Sequence, residues 1–103
     1  MNRKEFIISE LLNNSQDPFN LYLLALEYLK ENNRREAILT FNTIYETSPN
    51  YLPLYYIYAL NLIEMKNFET AKLIIKKGIE LAILIKKEKV KNELEQLFEL
   101  YFD

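Results

Sequence analysis

The stretch Asn50–Met65, NYLPLYYIYALNLIEM, decides how the chain is read. From Tyr51 to Leu60 every side chain is apolar or aromatic, and the first charge is Glu64. A strand, a membrane segment and a buried helix all fit such a run, and its flanks separate them. Asn61 and Glu64 interrupt it short of the about 20 apolar residues that a spanning helix needs, so no membrane span is expected. The apolar pattern continues through Leu62, Ile63 and Met65 at helical spacing. Asn50 stands where an N-cap would, and Pro53 falls in the first turn, where a missing N–H costs nothing. The stretch is therefore read as a helix over 51–66.

The same punctuation recurs on both sides. Asp17 followed by Pro18 is an N-cap and a first-turn proline. Asn33, with Glu36 three residues on, resembles a capping box with Asn in the cap position. Asn67, with Glu69 in the next turn, opens another helix. These signals place helices at 3–14, 18–32, 34–47, 51–66, 68–85 and 88–102. The last boundary is the least marked, because ILIKKEKVKN contains no breaker, and one longer bent helix fits it too. Short loops make neighbouring helices antiparallel hairpins. One glycine and three prolines in 103 residues argue against a sheet and for a single all-α domain.

Composition removes most chemistry. A single glycine leaves no Gly-rich phosphate loop, and the absence of cysteine and histidine removes thiolate and imidazole metal ligands and the commonest general base. Glu27, Glu31, Glu36, Glu46, Glu64, Glu69 and Glu80 fall mostly on polar faces or helix ends, and none forms a pair in apolar surroundings. No catalytic residue, cofactor or metal is expected. Net charge is −2, which gives no electrostatic reason to expect nucleic acid. The lysines at 72, 76, 77, 86, 87, 89 and 91 lie apart from the tyrosine-rich helix and among glutamates, as on a solvated outer face. A cytoplasmic location is the default.

Sliding residues 18–51 onto 52–85, a shift of 34, brings seven identities into register: Tyr22/Tyr56, Ala25/Ala59, Leu26/Leu60, Asn33/Asn67, Ala37/Ala71, Leu39/Leu73 and Glu46/Glu80. Each repeat carries one alanine on its first helix and one on its second, which allows close antiparallel approach. Leu21, Leu24, Ala25 and Tyr28, then Ala37 and Phe41, then Pro49 resemble the tetratricopeptide pattern W-x-x-L-G-x-x-Y, A-x-x-x-F, P. The second repeat follows it more loosely with Tyr55, Tyr58, Ala59, Leu62, Ala71 and Ile75, and has Ile83 in place of the proline. The resemblance implies a short right-handed α-solenoid of about six helices: an N-terminal capping helix within 1–17, repeats at 18–51 and 52–85, and a C-terminal capping helix within 86–103. Stacking on those end helices supplies surface that two repeats alone lack. Gly78 is expected to mark a close approach of the last helix.

The first helix of each repeat is apolar nearly all round, so both of its sides must be covered. In tetratricopeptide proteins these helices line a concave groove that holds peptides. By that resemblance the partner-binding face is Phe19, Tyr22, Leu26, Leu29, Tyr56, Leu60 and Ile63. Lysines and asparagines that would clamp a carboxylate are missing from it. The partner is therefore expected to be a protein or peptide with apolar anchors, or a second copy in a homodimer. Closure of the groove by the chain's own 88–102 helix is the remaining alternative.

Overall fold

The computed structural model describes residues 2–102. Six helices make up the described residues: α1 (Arg3–Asn13), α2 (Pro18–Lys30), α3 (Arg34–Thr47), α4 (Leu54–Glu64), α5 (Phe68–Leu84) and α6 (Glu88–Phe102). The fold is an all-α helical repeat. Side-chain caps place the first three starts. Asn2 accepts from the Glu5 N–H at 2.8 Å, Asp17 from the Asn20 N–H at 3.0 Å, and Asn33 from the Glu36 N–H at 3.3 Å. Asn67 occupies the cap position of α5 without a side-chain cap bond.

The start of α4 departs from the sequence reading. Asn50 does not cap it, and residues 51–53 lie outside the helix. The reason is Pro53, which disfavours the α conformation at the preceding residue, Leu52. The chain instead makes two successive turns, with the Tyr51 N–H donating to the Ser48 carbonyl at 3.0 Å and the Tyr55 N–H to the Leu52 carbonyl at 3.2 Å. Pro53, at φ −58°, then leads into the helix.

Two compact units meet in sequence at Tyr51 and Leu52. In the first, α1 packs on α2 and α2 on α3. Its buried side chains are Ile7, Leu21, Ala25, Ala37, Phe41 and Ile44. Ala25 and Ala37 have no exposed surface, as close helix packing requires. Lys4 ties α1 to α2 twice, by an ion pair to Glu31 at 3.1 Å and by lying 4.8 Å from the centre of the Tyr28 ring.

In the second unit α4 packs on α5 and α5 on α6. Ala59 and Ala71 repeat the alanine arrangement, again with no exposed surface. Leu54, Tyr55, Tyr58, Leu62, Ile74 and Ile75 are buried with them, joined by Leu94 and Leu97 of α6. Gly78 stands at a tight point: a Cβ built there lies 2.7 Å from the Tyr55 Cβ and 2.9 Å from the Leu94 Cδ1. The sole buried polar side chain among the described residues, Asn61, donates to the Ile57 carbonyl at 2.9 Å.

Three turns share one construction. Asn32, Lys66 and Lys86 are left-handed, at φ 59°, 63° and 61°. After each, the chain returns an N–H five residues back: Asn33 to Tyr28 at 2.8 Å, Asn67 to Leu62 at 2.9 Å, Lys87 to Ala82 at 2.8 Å. These bonds close the helix ends in Schellman fashion. Lys86 thereby separates α5 from α6, so the long bent helix does not form. Asparagine accepts this conformation readily, whereas lysine bears a steric cost of about 1–2 kcal/mol. Lys86→Gly removes that cost while loosening the unfolded chain, and is expected to stabilise by up to about 1 kcal/mol. Urea denaturation checks this, and an unchanged or lower midpoint would contradict it.

Candidate functional site

Of the residues proposed from sequence as one face, four lie in the first unit and three in the second. Phe19, 55% exposed, lines a groove of about 470 Å³ between α1 and α2 with Phe6, Ile7 and Leu23, rimmed by Arg3, Glu10 and Asn20. Tyr22 leans away from it. Its ring meets Tyr51 edge-on at 5.8 Å and Phe41 at 6.5 Å. Burial raises the Tyr22 hydroxyl above its ordinary pKa, and burial followed by the charges of Tyr22 and Asp17 raises that of Tyr51. Both are neutral near pH 7. Their contribution to stability is fully present below the ordinary tyrosine pKa and is lost as pH rises beyond it through the raised folded value. Leu26 is half-buried. Leu29, also half-buried, lines a small recess with Asn32 and Arg34 at the α2–α3 turn.

In the second unit Tyr56 is 43% exposed and Leu60 is half-buried. Ile63 is only 5% exposed, so little of it can reach a partner. Tyr55 and Tyr58, which follow the repeat pattern, are buried at 2% and 3% exposure. Tyr56 opens onto a groove of about 450 Å³ whose other wall is α6: Glu93, Gln96, Leu97 and Leu100. Leu97 is buried at its floor, and Leu100 is 73% exposed at its lip. The 88–102 helix therefore flanks Tyr56 and leaves it accessible.

These α6 residues were not identified from sequence. Val90, Leu94, Leu97, Phe98 and Tyr101 fall at helical spacing as a packing stripe, and Leu100 lies outside it. The signal was there: Glu93, Leu97 and Leu100 recur at helical spacing, with an apolar residue where a solvated face would be polar. The arrangement supplies apolar area, one phenol hydroxyl and a polar edge. Among the described residues no group of three or more acidic, histidine or cysteine side chains could hold a metal, and no helix is long and apolar enough to cross a membrane.

Residues 1–78 match the sequence family described as anaphase-promoting complex, cyclosome, subunit 3. Among solved structures, the chain is similar to the crystal structure of a tetratricopeptide repeat domain protein from Salinibacter ruber. The identity is 32%, with 79% of this chain and 90% of that chain covered and a TM-score of 0.74. It is similar also to a solution NMR structure of a tetratricopeptide repeat domain protein from that organism, at 31% identity, with 82% of this chain and 85% of that chain covered and a TM-score of 0.76. No curated protein sequence matches the chain.

Proposed function

This chain belongs to the tetratricopeptide-repeat family, within the sequence group described as anaphase-promoting complex, cyclosome, subunit 3, and from that premise we propose that it is a non-catalytic protein–protein interaction module. Its ligand is a peptide or helix with apolar anchors, and its setting is cytoplasmic. The observation that carries this reading is the open groove between α4 and α6, where exposed Tyr56 and Leu100 stand over buried Leu97. Tyrosine suits such a surface, because it offers a rigid apolar face with a hydroxyl that tolerates water. Glu93 and Gln96 at the rim give polar partners to a bound backbone. In the first unit the groove beside Phe19 is likewise apolar and is a separate candidate surface. Each large side chain buried contributes about 1.5–3 kcal/mol before the entropy of association. Three or four anchors then support micromolar binding.

Selection from a random-peptide display library tests this. The recovered sequences are expected to carry aromatic or aliphatic anchors. Tyr56→Lys, at an exposed position, is expected to weaken them about 30-fold, a loss of about 2 kcal/mol, with no change in thermal stability. Peptides without apolar anchors, or equal binding to the variant, would overturn the reading. Light scattering across concentration supplies the other arm: a dimer that Tyr56→Lys splits without unfolding would make the occupant a second copy.

A further inference from the structure

The end of α5 projects three consecutive aliphatic side chains into solvent. Ile83, Leu84 and Ile85 are 59%, 76% and 43% exposed. At helical pitch three successive residues span roughly 200° of the circumference, so they do not form one flat stripe. Where the first repeat has Pro49, the second has Ile83, and α5 runs on to Leu84. Immediately beyond, the left-handed Lys86 turns the chain back. The segment 83–91 holds four lysines and one glutamate in a chain of net charge −2. Glu88 is engaged by Lys91 at 3.1 Å, and Lys91 also approaches Glu95 at 3.8 Å. Lys86, Lys87 and Lys89 are exposed and have no ion pair among the described residues.

We propose that this turn, Ile83–Lys89, is a peripheral anchor for an anionic lipid surface. The aliphatic tip enters the boundary between headgroups and acyl chains, and the lysines behind it meet the anionic headgroups. Side chains that splay around a tip suit a fluid apolar layer better than a protein surface, which would cover one face only. Two kinds of contact in adjoining layers, apolar and cationic, are what an interface of this chemistry offers. Binding is reversible and falls with salt, because a short tip and a few lysines are far from a spanning anchor.

The chain has no tryptophan, so Leu84→Trp places a unique fluorophore at the most exposed position of the tip. With phosphatidylserine-containing phosphatidylcholine vesicles at low salt, its emission is expected to move to shorter wavelength, and with phosphatidylcholine alone to stay unchanged. Wild-type protein is expected to co-sediment with the anionic vesicles and to be released by high salt. Replacing Lys86, Lys87 and Lys89 together by glutamine is expected to lower partitioning about a hundredfold, at about fivefold for each lysine. An unshifted emission, equal sedimentation with neutral and anionic vesicles, or a lysine variant that partitions like wild type would overturn the proposal. So would capture by poly-glutamate in the absence of any vesicle binding, which would assign the patch to an acidic protein. The unlabelled wild type and the lysine variant decide the matter even where the tryptophan variant folds poorly.

Discussion

Leucine at position 78 is expected to destabilise the protein by about 3 kcal/mol or more, at the upper end of overpacking costs. A mid-helix glycine ordinarily costs about 1 kcal/mol relative to alanine, so most substitutions there gain helix propensity. Here the first added atom already meets the Tyr55 Cβ at 2.7 Å and the Leu94 Cδ1 at 2.9 Å. Leu94 can swing, but the Tyr55 Cβ is fixed to the backbone of α4 and cannot turn aside. Gly78→Ala therefore sets a gain of about 1 kcal/mol against an overpacking cost of about 1–3 kcal/mol, and is neutral to moderately destabilising. Leucine adds three further carbons to a space that will not hold the first. The element that can give way is α6, whose buried contacts run through Leu94 and Leu97. For a domain of this size each kcal/mol lowers the melting temperature by about 4–8 °C, so a fall of at least about 12 °C is expected. Hydrogen exchange is expected to quicken first in α6. A melting temperature within a degree or two of wild type would show that the close approach of α4, α5 and α6 is not as described.

Gly78 also illustrates what was legible in the sequence. A small residue at a repeat-equivalent position pointed to a close neighbour, but only the folded chain shows that Tyr55 and Leu94 both press on it. Periodicity and caps located six helices because both are local signals. The start of α4 was misplaced where one local signal, an asparagine cap, met a stronger one, the restriction that Pro53 imposes on Leu52. The left-handed residues Lys66 and Lys86 carried no sequence signal, since lysine has no preference for that conformation and is held there by the bond its successor returns to the preceding helix. The candidate face was harder to read. Helical spacing gives the direction of a side chain from its own axis and not the neighbour it meets. Leu29 and Ile63 are equivalent under the 34-residue shift, yet one is half-buried and the other buried. Tyr22 and Tyr56 are likewise equivalent. The first packs on Phe41 and Tyr51, and the second opens onto α6.

That contrast underlies the second large effect. Phe41→Ala is expected to cost about 3–5 kcal/mol, the usual range for emptying a buried aromatic site. Phe41 has no exposed surface, and the small Ala25 and Ala37, buried with it in the first unit, offer no side chain that could swing into the space. A loss of that size is a large fraction of the about 5–15 kcal/mol that holds a domain together. The substitution also removes a ring that meets Tyr22, leaving that of Tyr51. Water then reaches the Tyr22 hydroxyl, and its pKa, raised by burial in the wild type, is expected to fall toward the ordinary value. Alkaline difference absorption checks this independently of the melt: one tyrosine is expected to titrate earlier in Phe41→Ala than in wild type. Tyr56→Lys is expected to give the opposite pattern, with no effect on the melt or on the Tyr22 titration and weakened peptide binding. If Phe41→Ala left both stability and titration unchanged, Tyr22 would be a groove residue like Tyr56, as the shared repeat position suggested. If it moves both, as expected, equivalent tyrosines in the two repeats have divided between core packing and an accessible surface.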